Sequence, residues 1–490
     1  MNELGELRRI WRAASRLALL AACWSWLAAD CAKAAQSVWE LTPYRIRVLM
    51  AVAPKPELTA RLVEQVQAVI AERADLSIGA PWDLQIELAP AALQRAMLAS
   101  LAELSFENLP PELLDGDDDK AILLSIGYRN GNYLVGARDF DLRSRLSAAA
   151  VNRSVADRPT LGDEAFRAIL EAFAPLAEIE VVADKQATLR LRAAALPVAD
   201  PTLMPVRAGD AFRGVIRFND RDGKLRKLMP LDWTFMTVQS VNCSELTCNL
   251  HSGLRSPLSA RRRGRSEQLA LLTRPPGGST RLQLRSRASG GKAGSSRPLP
   301  GYEIFAHPAD SPATVRLGRT DGRGELVVPA DASAVRVLLV KHGADTLARL
   351  PVMPGLSPEA QAEIPDDDAR LAAEGEVAGL QENLVELVAN RAVFMHLIRL
   401  RMKDGKLDEA KQLMQELRKL GRQDDLSQLI DRRMRAAISA DPRMQKKIDR
   451  MFEDTREIIN RFLNQAEVDK LETDLERALR GEMPAAEEKE

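Results

Sequence analysis

Two cysteines in the middle of the chain are the first residues whose type and spacing could do chemistry. Cys243 and Cys248 stand in VNCSELTCNL, between two stretches of strand-like sequence. In an exported protein such thiols favour a disulfide that fixes the loop of a β-hairpin, and a reduced pair is the alternative. A metal site would need further ligands, and only His251 is near. The pattern predicts a structural disulfide and no metal site.

An arginine-rich segment follows the cysteines and is the strongest local charge feature. RSPLSARRRGRSEQ, residues 255–268, contains no acidic residue before Glu267. The planar guanidinium group suits phosphate and carboxylate groups, whereas a solvated basic loop between two strands is the simpler interpretation. The candidate anion-binding residues are Arg255, Arg261, Arg262, Arg263 and Arg265.

The motifs that usually carry catalysis are absent from the sequence. It has no G-x-S-x-G, H-E-x-x-H, Walker or G-x-G-x-x-G pattern. The histidines stand in separate contexts, without a second ligand at metal-binding spacing: His251, His307, His342 and His396. The sequence therefore predicts no cofactor and no metal. Because paired carboxylates can be distant in sequence, an envelope hydrolase using acids of the N-terminal region is the alternative.

The acidic run LLDGDDDKA is rich enough in oxygen to suggest calcium. It contains Asp115 and residues 117–119, all aspartate, but Lys120 stands where an EF-hand needs glycine. Ile126 stands where that motif needs glutamate. The run is therefore interpreted as a solvated acidic turn before a strand.

The composition is that of an ordinary globular chain, and its 490 residues allow about three to four domains. Lys+Arg and Asp+Glu are balanced at 69 each, so no overall charge attracts nucleic acid or an anionic membrane. Aromatic residues are only 4%, which disfavours base-stacking surfaces. The expected partner is an envelope protein or an anionic polysaccharide, and nucleic acid is not expected.

The N-terminus has the three parts of an export signal. Arginines within residues 8–16 precede the apolar run LALLAACWSWLAA, and AKA at residues 32–34 is a cleavage site for removal of the signal. We expect cleavage before Ala35 and an exported protein, periplasmic or associated with the cell envelope. A lipoprotein box, LAAC ending at Cys23, is the alternative, and an uncleaved anchor is a third. No later apolar run is long enough to span a bilayer.

Changes in residue pattern divide the chain into regions of different structure. Alternating strand and helix periods come first, short strands with turn signals follow, and helical periods end the chain. The predicted fold class is therefore multidomain α+β. The predicted regions are 1–34 (signal peptide), 36–198 (mixed α/β domain), 199–287 (small all-β domain), 288–301 (flexible linker), 302–365 (β-sandwich module), 366–480 (helical bundle) and 481–490 (disordered tail).

The stretch RTDGRGELVVPADASAVRVLLVKHG, residues 319–343, carries a family resemblance. Its pattern T-D-x-x-G-x-L-x-V-P, residues 320–329, is followed by VRVLLV and Gly343. This pattern is similar to the carboxypeptidase-regulatory-like, or transthyretin-like, β-sandwich family. The resemblance implies a small seven-strand accessory sandwich without catalytic residues of its own.

The helical region has apolar residues at helical spacing in three successive segments. Its DGKLDEA turn, within residues 380–420, resembles a tetratricopeptide-type hairpin, although no repeat supports an array. The preceding LSPEAQAEIPDDD is interpreted as a connector, so the bundle is expected to fold alone and to bind a partner. The expected core positions include Leu380, Leu384, Ile398 and Phe462. The sequence as a whole predicts an exported, non-catalytic envelope protein for binding or scaffolding.

Overall fold

The structure, a computed structural model, describes residues 37–183, 185–203, 206–254, 258, 265–275, 277–287, 296–343, 345–439 and 441–482. The predicted export signal and residues 483–490 of the predicted tail lie outside these ranges. As predicted, the chain combines a mixed α/β region, several β-sheets and a helical C-terminal region. It therefore belongs to the multidomain α+β class.

The first unit is built on a mixed sheet. Its strands are β1 (Tyr44–Val52), β2 (Trp82–Leu88), β3 (Lys120–Arg129), β4 (Asn132–Asp141), β5 (Leu146–Ser147) and β6 (Val151–Val155). The order is β2-β1-β3-β4-β5, and β6 also pairs with β4. β1 runs parallel to β2 and β3, and the other pairs are antiparallel. The Asn-Gly signal in RNGN marks a hairpin, since Arg129 pairs with Asn132 around it.

Helices lie against both faces of this sheet. They include α2 (Ala60–Ser77), α3 (Ala91–Ala99), α4 (Pro111–Leu114) and α5 (Leu161–Ala172), whereas the short α1 (Val38–Leu41) contacts the strand Gln186–Leu191. Side chains of β1 alternate between two cores, as strand periodicity requires. Ile46 and Val48 belong to the core that includes α2 and α5, whereas Leu49 belongs to the core that includes α3. Burial on both faces explains why these strands are so apolar.

The second unit is a closed six-stranded antiparallel barrel. Its strands are β7 (Leu176–Ala183), β8 (Gln186–Leu191), β9 (Ala211–Asn219), β10 (Leu225–Asn242), β11 (Glu245–Ser252) and β12 (Ser266–Thr273), in the order β10-β11-β8-β7-β12-β9. The hairpin β7–β8 pairs with β11 and β12. The barrel therefore begins before the boundary predicted at residue 198, because a local strand pattern does not reveal its distant pairing partner.

The barrel and the α/β sheet share one hydrophobic core. Val48 and Ile122 of the sheet belong to the same buried cluster as Leu189 and Leu269 of the barrel. A buried backbone contact adds to it, since the Tyr44 hydroxyl accepts a hydrogen bond from the Leu176 N–H at 2.9 Å. The two units therefore pack through buried side chains rather than through a linker.

The third unit is a seven-strand sandwich. Its strands are β13 (Thr280–Ser286), β14 (Glu303–Pro308), β15 (Val315–Arg319), β16 (Glu325–Val328), β17 (Arg336–His342), β18 (Asp345–Val352) and β19 (Glu359–Ile364). The sheet β16-β13-β19 faces the sheet β15-β14-β17-β18 across a shared core. Asp321 closes the expected turn by accepting hydrogen bonds from the N–H groups of Arg323 and Glu325, and Gly324 adopts the positive φ of +73° that the turn requires.

Two segments interpreted as connectors belong to this sandwich. The stretch LSPEAQAEIPDDD contains β19, which pairs in parallel with β13. Leu299, in the predicted linker 288–301, is buried in the sandwich core, while residues 288–295 lie outside the described residues. Both segments are rich in small or polar residues, so their sequence conceals the few apolar side chains that face the core.

The C-terminal region consists of α6 (Asp368–Lys403), α7 (Leu407–Lys419), α8 (Gln423–Ala436), α9 (Pro442–Phe462) and α10 (Gln465–Leu479). Leu380, Leu384 and Ile398 are buried as predicted, whereas Phe462 is exposed. The buried Arg370 donates hydrogen bonds to Asp367 and to the His342 carbonyl of the sandwich, so α6 begins on that unit. Among the helices described here, none is long and apolar enough to cross a membrane.

Candidate binding cleft between the barrel and the sandwich

Some acids of the α/β unit are engaged in buried ion pairs. Lys120 Nζ lies 2.9 Å from Asp139 Oδ2 and 3.1 Å from Asp141 Oδ2, and all three side chains are fully buried. Asp139 Oδ2 also accepts a hydrogen bond from the Ala174 N–H at 2.8 Å. Burial raises the pKa of Asp139, although Lys120 opposes the shift. Burial lowers the pKa of Lys120, but the two carboxylates outweigh that effect and raise it overall.

A second buried acid is held in the same way. The Arg192 guanidinium binds both oxygens of Asp119, at 2.6 Å each. Two clefts among the described residues, at the barrel–sandwich boundary, are lined by no carboxylate from the predicted 36–198 domain. The buried Asp119, Asp139 and Asp141 are therefore engaged in structural ion pairs.

The larger of these two clefts, about 1270 Å³, lies between the barrel and the sandwich. Strands β10 and β11 line its barrel side, and residues 309–312 with β17 and β18 line its sandwich side. The walls meet closely at Gly253, where a Cβ would lie only 2.6 Å from the Arg349 carbonyl oxygen. Phe235 of the barrel packs there with Val335 and Met353 of the sandwich. Close packing of the two units therefore sets the width of the cleft.

A network of three side chains crosses the cleft. Thr237 Oγ1 lies 2.9 Å from His251 Nε2 and donates to Asp310 Oδ1 at 3.3 Å. Because a hydroxyl has a single proton, His251 Nε2 must be the donor in the other bond. A nucleophile would instead need an unprotonated Nε2, with a carboxylate at the opposite ring nitrogen. The network therefore joins barrel to sandwich and does not activate the threonine.

The two histidines of the cleft are hydrogen-bonding groups. Burial lowers the pKa of His251, and nearby His307 lowers it further, while Asp310 raises it. His251 is thus neutral at pH 7. Nδ1 of His307 lies 2.7 Å and 3.0 Å from the carbonyl oxygens of Pro308 and Ser311, which fixes it as a donor.

Exposed basic residues supply the charge of the cleft. Lys185 follows the end of β7, and Arg349 lies on β18. Neither forms an ion pair with any residue that the structure describes, and both are exposed. Asp310 is the sole acid among the described lining residues. The cleft can therefore offer two cationic groups to a ligand.

The arginine-rich segment starts at this cleft. Leu254 and Leu258 both line it. Arg265, the last arginine of the segment in sequence, is exposed. Arg255 and the three arginines 261–263 lie outside the described residues. The predicted anion-binding role of these five arginines stays a prediction.

The predicted disulfide between Cys243 and Cys248 is wrong, since Cys248 is a free, buried cysteine. Cys243 stands in the two-residue turn between β10 and β11, with φ of +53°. Cys248 lies three residues into β11, which is about 10 Å along the strand from Glu245, and pairs with Val238. A disulfide requires a Cα–Cα distance of at most about 7 Å. The position of Cys248 along β11 takes it too far from the turn that contains Cys243. Burial raises the pKa of the Cys248 thiol to about 12.

Three charged residues of the cleft were not predicted from the sequence: Lys185, Arg349 and Asp310. Each is a single charged residue in or beside a strand, and the two bases are 164 positions apart in sequence. The one signal in the sequence is that Lys185 stands between two strand-like stretches, where an exposed base is common. Only the packing of two units brings these residues together.

Comparison with known proteins assigns no family. No family model matches the chain, and no curated protein matches it. The minor pilin GBS52 of Streptococcus agalactiae is 11% identical with a TM-score of 0.15, over 32% of this chain and 83% of the pilin. TolB from Acinetobacter baumannii is 10% identical with a TM-score of 0.17, over 66% and 96% of the two chains. BcpA, the major pilin of Bacillus cereus, is 8% identical with a TM-score of 0.12, over 51% and 71%. Similarities this weak carry no conclusion about fold or function.

Proposed function

We propose that the protein is a non-catalytic binding protein of the cell envelope, and that its barrel–sandwich cleft binds an anionic polysaccharide. The observation that carries the proposal is the position of Lys185 and Arg349 in one cleft. Both bases are exposed and lack an ion pair among the described residues. A polymer with carboxylate or phosphate groups would supply the missing counter-charges.

The arginine-rich segment supports a polymeric rather than a small ligand. In sequence, Arg255 follows the cleft residue Leu254 directly, and Arg261 is three residues from the cleft residue Leu258. Three residues of chain span at most about 11 Å. We therefore propose that a polyanion in the cleft also binds arginines of this segment.

The uncharged lining of the cleft suits sugar hydroxyls. Gln239, Asn249 and Ser252 line it, and amide and hydroxyl groups can both donate and accept hydrogen bonds. The neutral His251 adds a polar side chain without adding charge. Such groups would orient a sugar ring while the bases bind its acidic substituents.

The geometry of the polar residues supports a role without catalysis. Three acids of the α/β unit, Asp119, Asp139 and Asp141, are buried in ion pairs with Arg192 or Lys120. In the cleft, the proton on Nε2 of His251 leaves Thr237 without a base. Binding, rather than cleavage, is what these side chains can perform.

The predicted export signal would bring the protein to the compartment where such polymers occur. Cleavage before Ala35, with lipid attachment at Cys23 as the alternative, places it in the periplasm or on the envelope. The seven-strand sandwich agrees with the resemblance to carboxypeptidase-regulatory-like modules, and we infer membership of that family. Its role is then accessory, because it forms one wall of the cleft and contributes no catalytic group.

Retention on immobilised polymers tests the proposal. We expect the protein to bind polygalacturonate or polyphosphate, to be released by salt, and to pass through neutral dextran. Serine replacements at Arg261, Arg262 and Arg263 should weaken retention. The matched control replaces three exposed helical arginines, which changes the net charge equally: Arg432, Arg443 and Arg450.

Three outcomes would contradict the proposal. Equal loss of retention in the two triple variants would mean that overall charge, and not this segment, governs binding. Retention on dextran that salt does not weaken would indicate a neutral sugar ligand. No retention on either polyanion would remove the proposed ligand class.

A further inference from the structure

Helix α6 has a second apolar face that points to solvent. Leu384 and Ile398 face the cores of the helical region and are almost fully buried. Val385, Val393 and Leu400 remain 70%, 57% and 41% exposed. At about 100° per residue these three side chains lie on the side of the helix opposite the buried face. The helix is therefore apolar on two sides, and the described residues cover only one of them.

The exposed side forms a continuous stripe, which we call the outer face of α6. At the middle of the stripe Ala389 and Ala392 are exposed, and such short side chains let another helix approach closely. Apolar stripes on a helix surface are normally covered by a partner. The outer face consists of Val385, Ala389, Ala392, Val393, His396 and Leu400.

Opposite charges stand at the two ends of this face. Glu382 lies one turn before Val385, and Lys403 lies one turn after Leu400. Both are exposed and, among the described residues, neither is ion-paired. Glu386 and Arg399, close beside the stripe, repeat the same polarity. The outer face is thus acidic at its N-terminal end and basic at its C-terminal end.

We propose that two copies of the chain dimerise by packing their outer faces antiparallel. A two-fold axis between Ala392 and Val393 places Val385 of each copy against Leu400 of the other. The same axis places Glu382 of each copy against Lys403 of the other, so both ends carry opposite charges. In a parallel pair, Glu382 would instead meet Glu382 of the other copy and Lys403 would meet Lys403, so that like charges face each other.

The contact is long enough for a specific helix pair. Residues 382–403 span 21 steps of the helix, which is about 32 Å. Four layers fill this length: Glu382 with Lys403, Val385 with Leu400, Ala389 with His396, and Ala392 with Val393. The self-complementary order of these layers identifies a second copy, rather than an unrelated helix, as the occupant.

Sedimentation equilibrium of the purified protein tests the dimer. We expect twice the monomer mass, and monomers for Val393→Asp, which places a charge at the centre of the contact. Val393 is exposed in the monomer, so the fold should tolerate the change. The control is Ile438→Asp, at a residue that is 75% exposed elsewhere in the helical region. A wild-type chain that is monomeric at its highest soluble concentration, or a dimer that Val393→Asp leaves intact, would overturn the proposal.

A charge exchange tests the antiparallel orientation. Glu382→Lys alone and Lys403→Glu alone should each weaken the dimer roughly tenfold, because like charges then meet at both ends. Mixing the two variants, or combining both changes in one chain, should restore association. A mixture that associates no better than either variant alone would overturn the orientation.

Discussion

The Lys120 cluster of the α/β sheet and the barrel–sandwich cleft both hold charged side chains, but they differ in what those side chains can still bind. Lys120 is fully buried between Asp139 and Asp141, which occupy its ammonium group. Lys185 and Arg349 are exposed, and no described carboxylate pairs with them. A dense group of charges is thus not in itself a binding site. The cleft differs from the Lys120 cluster because its cationic groups are exposed to solvent and have no described counter-charge.

Removing the buried cation should have the largest effect on stability. Lys120→Met leaves two buried carboxylates without their counter-charge, and breaking such a pair typically costs about 3–5 kcal/mol of unfolding free energy. Urea denaturation measures the difference. The control, Lys411→Met at an exposed position of α7, should stay within about 0.5 kcal/mol of the wild type. Equal stability of the two variants would mean that the Lys120 cluster is hydrated and comparable to the cleft.

The thiol of Cys248 should react slowly in the folded protein. Burial raises its pKa from 9.0 to about 12, so the thiolate fraction at pH 8 falls about a thousandfold, which slows alkylation by a similar factor. Iodoacetamide labelling followed by peptide mass spectrometry measures the rate at Cys248 in the native and the urea-unfolded chain. Similar rates in the two states would contradict the burial of this thiol in the barrel.

Alkaline pH should destabilise the region around Lys120, whose Nζ lies 5.6 Å from the centre of the buried Tyr44 ring. Burial raises the pKa of Tyr44 above its ordinary value of 10.0, and the two aspartates raise that of Lys120 above 10.5. The folded chain therefore keeps protons that the unfolded chain loses, and the unfolding free energy falls as pH rises. Above pH 10 this fall should be less steep in Tyr44→Phe than in the wild type, by about 1.4 kcal/mol per pH unit. Identical slopes would contradict the burial of the phenol.

Acid pH should also destabilise the protein, by a smaller amount, through His251 of the cleft. The lowered pKa of His251 means that the unfolded chain takes up a proton before the folded chain does. The stabilising contribution is therefore present above pH 6.5 and is lost as pH falls. Thermal unfolding between pH 7 and pH 5 should show this loss in the wild type and less of it in His251→Gln. A variant with the same pH dependence would exclude His251 as its source.

Much of the local structure could be predicted from the sequence, because it depends on neighbouring residues. The Asn-Gly hairpin, the turn at Asp321 and the buried stripe containing Leu384 follow from turn chemistry and periodicity. Strand alternation could also have shown that Cys248 faces the core, since Leu246 and Cys248 of β11 are both buried. The disulfide was predicted from the spacing of the two cysteines alone, without the alternation of buried and exposed side chains along β11.

The remaining features depend on contacts between distant segments. The pairing of β7–β8 with the barrel joins strands that are separated by intervening elements, so no local pattern predicts it. The cleft is even harder to predict from local sequence, because Lys185 and Arg349 belong to different structural units. The two units that carry Lys185 and Arg349 meet where Gly253 packs against the Arg349 carbonyl. This contact cannot be predicted from either residue type.

Titration of polygalacturonate into a charge-reversed cleft tests the central claim most directly. The variant combines Lys185→Glu with Arg349→Glu, and the matched control combines Lys411→Glu with Arg432→Glu at exposed helical positions. If the cleft binds the polymer, isothermal calorimetry at low salt should show affinity at least about tenfold weaker for the cleft variant. The control should stay within about a factor of two of the wild type. Equal weakening of both variants, or of neither, would contradict a binding site in the cleft.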